Sequence, residues 1–280
     1  MEGESERRAI MNILLTNDDG IHAGGLWALY EALGQEHTVF VIAPDRERSA
    51  VGHGITLHQP LRVERVMVNG GFEGFAVNGT PADCVKLGLM EILERKPDLV
   101  VAGINPGINV GINLNYSGTV AAAKEAAMFG IAAIAASIMS KTYLHYQDAA
   151  RFIAGLCREI ETRGLPAGTF LNVNFPNLPL VKTRGVRLSR QGVEVLAEGF
   201  EKRTDPRNQT YYWQGCDTQT PGNPDDTDYS VVHQDYISIT PIKCDMTDYG
   251  LLSRLKAWES SVLVNDFHRP DSHGQGGRHS

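Results

Sequence analysis

The sequence predicts an α/β fold whose sheet is parallel or mostly parallel and covered by helices on both faces. Three observations carry this. Short β-branched and leucine-rich runs alternate with amphipathic helical stretches up to about residue 174. Beyond that point the alternation gives way to strand-like segments around a polar, aromatic insert. The first apolar run ends in Asn17-Asp18-Asp19-Gly20, a polar turn at a strand's C-terminal end, where open α/β sheets hold their ligands.

Residues 13–16 (Ile-Leu-Leu-Thr) read as a buried strand and 25–33 as a helix with apolar residues at helical spacing. Residues 38–43 (Thr-Val-Phe-Val-Ile-Ala) are a second buried strand. Residues 55–68 and 72–77 read as a more exposed antiparallel pair joined near Asn69-Gly70-Gly71. A helix is expected over 81–93, with Thr80 as N-cap and Pro81 at its first position. Residues 99–102 are a third buried strand, followed by a glycine- and asparagine-rich loop over 103–117. An alanine-rich helix over 119–129, a strand over 131–137, a helix over 146–162 and a strand over 170–174 complete the alternation. In the second half, 185–190 and 236–242 alternate as strands do. Between them lie Tyr211-Tyr212-Trp213 and the acidic cluster Pro224-Asp225-Asp226-Thr227-Asp228, read either as a projecting hairpin or loop whose aromatics serve a subunit contact or a lid, or with the aromatics as a strand packed on the domain. A helix over 248–264 and a glycine- and histidine-rich tail over 268–280, expected to be disordered, end the chain.

Composition narrows the functional classes. The chain has 280 residues, 42% of them hydrophobic, with 26 basic against 33 acidic residues and a formal net charge of −7. That balance opposes stable nucleic-acid binding, which shows as a basic stripe. No run of eighteen apolar residues suggests a membrane span, and the start of the chain lacks the apolar region of a secretory signal. Cys84, Cys157, Cys216 and Cys244 are scattered, which points to reduced thiols in the cytoplasm rather than a zinc site or disulfide frame.

Adjacent carboxylates at Asp18 and Asp19 repel each other and resist desolvation unless a cation lies between them. The alternative is that Asp18 caps the next helix and Asp19 is solvated. Three further loops follow strand ends. Residues 43–52 offer the Ser49 hydroxyl and the cations Arg46 and Arg48, although a solvated loop accounts for the arginines. Residues 103–111 offer Asn105 and Asn109, with glycines that allow close backbone approach or simply positive φ. Ser117-Gly118-Thr119 opens the alanine-rich helix, as an anion-holding helix start or with Ser117 as a plain N-cap. Their convergence at one end of one sheet points to Mg²⁺ or Mn²⁺ beside a phosphate group.

Two similar signatures do not fit. In the Asp-x-Asp-Gly motif of haloacid-dehalogenase phosphatases the first Asp is the nucleophile, and Asn17 stands at that place. There is no P-loop, and 103–111 is not a dinucleotide-binding glycine motif in a strand-to-helix turn.

Five ordered blocks carry a resemblance: residues 13–21, 41–50, 78–85, 103–109 and 116–120. Together they resemble the stationary-phase survival (SurE) family, and the similarity continues through Tyr211-Tyr212-Trp213 and 236–241 to the C-terminal helix. The resemblance implies a divalent-metal-dependent 5′-nucleotidase, with one Mg²⁺ or Mn²⁺ per subunit held by Asp18, Asp19, Ser49 and Asn105. It places Asn109, Ser117, Gly118 and Thr119 around the phosphate, with Asp18, Asp19 and Asn109 as the catalytic set. It also implies a three-layer α/β/α sandwich with a Rossmann-like core, plus a projecting hairpin and a C-terminal segment that build a homodimer or homotetramer. One SurE-like domain is then expected over 11–267, its core at about 11–180, flanked by an extension over 1–10 and the tail. The expected reaction is hydrolysis of nucleoside 5′-monophosphates by metal-activated water. The rivals are a nucleotide-binding module without turnover and a dinucleotide-dependent oxidoreductase, the latter opposed by the missing signature.

Overall fold

In the computed structural model, which describes residues 10–68, 71–140, 144–193, 199–214 and 224–259, the first apolar run forms β1 (Asn12–Thr16). Ile13 and Leu15 enter one buried apolar cluster and Leu14 another. Successive side chains of a strand point to opposite faces, so β1 is covered on both sides. The helix α1 (Gly24–Leu33) packs Leu26, Trp27 and Leu29 into the first cluster, and β2 (Thr38–Pro44) follows. The strands β3 (Val63–Val68) and β4 (Phe72–Val77) form the expected antiparallel pair. The helix α2 (Pro81–Leu87) opens with a capping box between Thr80 and Asp83 and with Pro81 in its first turn, then widens into a single π turn over Gly88–Ile92.

The strand β5 (Leu99–Pro106) leads through a 3₁₀ turn at Gly111–Asn115 into α3 (Gly118–Met128) and β6 (Ala132–Ile138). The helix α4 (Tyr146–Arg163) ends at Gly164 with positive φ, and β7 (Thr169–Phe175) completes the alternation. A short 3₁₀ turn precedes β8 (Val186–Leu188). Then come β9 (Phe200–Thr204), β10 (Thr210–Gln214), α5 (Asp228–His233), β11 (Ile237–Lys243) and α6 (Tyr249–Glu259).

Nine strands form one sheet in the order β3-β4-β2-β1-β5-β6-β7-β11-β8. Only the β3–β4 and β7–β11 pairs are antiparallel. Helices α1 and α4 share one apolar cluster and α2 and α3 the other, giving three α/β/α layers. From β1 the chain passes to β2 on one side and later to β5 on the other. The C-terminal ends of β1 and β5 therefore flank the topological switch point, where such sheets open a crevice.

The structure corrects several expected boundaries. Residues 55–62 are irregular, and the strand begins only at Val63. Pro60 has no N–H for a ladder, while the Thr56 and Arg62 amides donate to the side chains of Asp83 and Asn78. The strand β5 runs on to Pro106, past a register shift between Ala102 and Asn105, so the start of the expected loop is sheet. The helix α5 was not anticipated within the acidic cluster. Strands β9 and β10 form a separate exposed antiparallel ribbon rather than packing as a strand of the main sheet. The 69–70 part of the expected turn, Cys216, residues 260–264 of the expected last helix and the tail over 268–280 lie outside the described residues. The chain divides into two compact units, Met1–Cys244 with the eleven strands found among the described residues and Asp245–Ser280 with α6. Among the described residues, no helix is long and apolar enough to cross a membrane.

Candidate metal and phosphate site

The turn after β1 is closed by Asn17. Its Nδ2 donates to the Gly20 carbonyl at 3.0 Å and its Oδ1 accepts the Gly20 N–H at 3.2 Å. Gly20 has φ +99°, and a Cβ there would lie 3.0 Å from the backbone carbon of Arg46. Only glycine takes that conformation without strain. The turn sends Asp18 into the switch-point crevice, with Asp19 next to it in the chain. Neither caps α1, whose N-cap is Ala23 without a side-chain bond.

Asp18 is buried, yet it lines the crevice. Burial pushes its carboxyl up from the ordinary carboxylate range, against hydrogen bonds from the Thr119 hydroxyl and the start of α3 that favour the charged form. The Thr119 Oγ1 donates to Asp18 Oδ1 at 2.5 Å. Gly118 packs directly on Asp18: a Cβ at Gly118 would fall 2.8 Å from the Asp18 Cβ. Asp19 Oδ2 is buried without a hydrogen-bond partner. Burial first, then the charges of Asp18 and Glu47, push Asp19 up to about 7. Burial and the Asp19 charge also push Tyr146 up to about 12.

The loop after β2 is bonded to both neighbours. The Arg48 N–H donates to the Asp18 carbonyl at 2.7 Å and the Gly52 N–H to the Tyr116 carbonyl at 3.0 Å. Between these ties Ser49 faces the crevice, its Oγ donating to Glu47 Oε1 at 2.6 Å. Asn105, one residue before the end of β5, is in register with Ser137 of β6, and its Nδ2 donates to the Gly107 carbonyl at 2.6 Å. Both groups direct hydrogens away and keep oxygen lone pairs for a cation.

Asn109 is held by residues that the sequence pattern did not single out. Its backbone N–H donates to Asn174 Oδ1 at 2.8 Å, and its carbonyl accepts from Asn172 and Asn174. Its side-chain Nδ2 donates to Ser137 Oγ at 2.8 Å. Asn172, Asn174 and Ser137 are fully buried. The signal for them in the sequence is the polar alternation Asn172-Val173-Asn174, which sits inside a buried strand rather than in a loop. Ser117 lines the crevice and also caps α3, accepting the Val120 N–H at 3.1 Å. His53, near the Ser49 loop in sequence, instead pairs with Glu125 of α3 at 2.7 Å.

The crevice encloses about 560 Å³ and brings Asp18, Ser49, Asn105, Asn109 and Ser117 to one surface. Asp19, Gly118 and Thr119 are not on that surface; Gly118 and Thr119 contact Asp18 instead. Among the described residues, no group of three or more His, Cys, Asp or Glu could hold a metal. Besides the two carboxylates, the oxygens available to a cation here are the Ser49 hydroxyl and the Asn105 amide. The unpartnered Asp19 Oδ2 and two carboxylates raised by burial fit such an ion, which would remove both penalties.

Fold and site define an α/β/α protein whose switch-point crevice suits a hard cation beside an anion. The profile described as Survival protein SurE matches residues 13–198, and the chain belongs to the SurE family. It is 56% identical over 249 residues to the 5′-nucleotidase SurE of Desulfatibacillum aliphaticivorans, covering 89% of this chain and 98% of the relative. Identity is 48% to the 5′-nucleotidase SurE of Syntrophobacter fumaroxidans, covering 89% and 99%. The crystal structure of the SurE protein from Aquifex aeolicus superposes with a TM-score of 0.79 at 38% identity, covering 89% of this chain and 99% of that one.

Proposed function

We propose that this chain is a divalent-metal-dependent 5′-nucleotidase that hydrolyses nucleoside 5′-monophosphates to nucleoside and phosphate. The observation that carries the site assignment is the adjacent pair after β1, with Asp18 buried against the crevice and the Asp19 Oδ2 buried without a partner. In this reading Asp18, Asp19, Ser49 Oγ and Asn105 Oδ1 hold one Mg²⁺ or Mn²⁺. When bound, the cation supplies charge to a phosphate oxygen and acidifies a water molecule for attack.

The chain's own groups do the rest. Thr119 and the start of α3 hold Asp18 in one rotamer and favour its charged form. Asn109 gives one amide hydrogen to Ser137 and keeps a second for a phosphate oxygen. Ser117 lines the same side, and its hydroxyl offsets the charge that builds on the equatorial oxygens. We assign the Asp19 carboxylate as acceptor for the proton of the attacking water. Asn17 has its amide engaged with Gly20 and offers no nucleophile, so water attacks phosphorus directly.

Direct attack inverts configuration at phosphorus. Hydrolysis of a nucleoside monophosphate made chiral at phosphorus should give inverted phosphate. Net retention, or a trapped phosphorylated residue, would overturn the mechanism, and absence of phosphate release would leave only a nucleotide-binding module.

We further propose a cytoplasmic homodimer or homotetramer built through the β9–β10 ribbon and the C-terminal segment. Phe200, Tyr212 and Trp213 on the ribbon are 68%, 59% and 60% exposed, and Trp258 on α6 is 60% exposed. Exposed large apolar side chains on the ribbon and, separately, on α6 suit contact with a second copy. Cys84, Cys157 and Cys244 are unpaired thiols, in keeping with a reducing compartment.

A further inference from the structure

We propose that Asp228 and Gln191 are positioning residues for the phosphate side of the site, acting through Gly111; this rests on the reading of Asn109 and Ser117 given above. Asp228 is fully buried at the start of α5. Its Oδ2 accepts the Gly111 N–H at 2.8 Å, and its Oδ1 accepts the Gly192 and Tyr229 N–H groups at 3.0 and 2.9 Å. Gln191 Nε2 donates to the Gly111 carbonyl at 2.8 Å. Both backbone polar groups of Gly111 are thus bonded to side chains lying 80 and 117 positions further along the chain. A carboxylate that accepts backbone N–H bonds in a buried setting makes a strong, directional tie.

Gly111 stands at the pivot of the phosphate side. Asn109 lies two residues before it, and the 3₁₀ turn it opens leads directly to Ser117. It has φ +61°, and a Cβ there would lie 3.2 Å from the Gly192 carbonyl oxygen. The two segments that grip it are joined to each other. The Arg190 N–H donates to the Asp226 carbonyl at 3.0 Å and the Asp228 N–H to the Arg190 carbonyl at 2.9 Å. These segments are the two roots of the insert that carries the β9–β10 ribbon. The root of the insert is therefore fastened to the loop that presents Asn109 and Ser117.

The cation side is anchored elsewhere. Asp18 and Asp19 are set by the Asn17–Gly20 turn, Ser49 by ties to Asp18 and Tyr116, and Asn105 by its place in β5. Loosening Gly111 should therefore weaken phosphate and transition-state binding while sparing the cation. A purely structural role would degrade both together.

The test uses the full chain, Asp228→Asn and Gln191→Ala. Calorimetry measures affinity for Mn²⁺ alone, then for inorganic phosphate at saturating Mn²⁺, and steady-state kinetics give kcat and KM for a nucleoside monophosphate. Asp228→Asn turns an acceptor into a donor facing an N–H. It should leave Mn²⁺ affinity within about 2-fold, weaken phosphate about 10-fold and lower kcat about 10- to 100-fold, the scale of a displaced catalytic group. Gln191→Ala loses one bond and should show the same pattern at about 3-fold. Equal losses of Mn²⁺ and phosphate affinity, or unchanged phosphate affinity and kcat, overturn the proposal. If Asp228→Asn does not fold, Gln191→Ala decides by the same criteria. A wild-type chain that binds Mn²⁺ and phosphate but hydrolyses nothing overturns the nucleotidase reading, and the two binding constants still decide this one.

Discussion

Asp18 and Asp19 are held in a conflict that the protein's own side chains do not resolve. Asp19 rises from 3.8 to about 7 because it is buried beside Asp18 and Glu47, and Asp18 rises by burial. A carboxyl with a raised folded pKa stabilises the fold below its unfolded pKa, and that contribution is lost as pH rises through the folded value. Metal-free protein should therefore lose thermal stability between about pH 4 and pH 7, and Asp19→Asn should lose less across that window. Thermal unfolding of both proteins with chelator at several pH values checks this; identical slopes would contradict it. With metal present the same substitutions should act on catalysis. Asp18→Asn or Asp19→Asn should each lower kcat/KM by at least about a hundredfold, roughly 2.7 kcal/mol of transition-state stabilisation, while the chain stays folded. Near-normal turnover in either variant would remove that residue from the mechanism. The acid pair was legible in the sequence because two adjacent carboxylates at the end of a buried strand repel each other until a cation joins them. Asp228 was not, because in Asp225-Asp226-Thr227-Asp228 nothing separates the one buried acid from its exposed neighbours. Only the burial pattern of the fold makes that distinction.

At the scale of elements, the site depends on α3 packing tightly over the end of β1. The contact allows no side chain at Gly118, where a Cβ would meet Asp18 Cβ at 2.8 Å and Oδ2 at 3.0 Å. Gly118→Ala gains helix propensity of about 1 kcal/mol, yet overpacking of this kind costs about 1–3 kcal/mol. The net effect on stability should be small or unfavourable. Activity should fall by about a hundredfold, because Asp18 must shift. Unfolding curves read beside kcat/KM would show it, and an active, more stable variant would refute this account of the contact. Apolar runs such as 13–16 and 99–102 announced their strands because burial on both faces leaves no polar positions. The segment 55–62 misled for a physical reason: its β-branched start is followed by Pro60, and side chains of Asp83 and Asn78 take up its amides. The N-cap at Thr80 was legible because Thr80 and Pro81 are adjacent in sequence, whereas the Asn172 and Asn174 support for Asn109 spans more than sixty positions.

At the scale of the whole molecule, the sheet's switch point collects loops from four separate stretches of chain into one crevice, and the later insert fastens to the same place. The α/β/α layering could be anticipated from the alternation of runs, and its sheet order places the ends of β1 and β5 side by side. The aromatic insert suggests a subunit contact or a lid from the sequence, and the family resemblance narrows that to assembly, since exposed aromatics alone do not specify a partner. Removing residues from Asp248 onward should weaken the oligomer, and removing 268–280 alone should change little, as read by light scattering beside the full chain. A full-length protein that is monomeric at micromolar concentration and fully active would contradict the assembly proposal without touching the site. The central claim is that hard oxygen ligands hold a divalent cation essential for hydrolysis of nucleoside 5′-monophosphates. Its most direct test is phosphate release from such a substrate by exhaustively chelated protein, followed by titration with Mg²⁺ or Mn²⁺. The account predicts no release in chelator and recovery as either ion is added, whereas full release from the chelated protein, or none at any metal concentration, would contradict it.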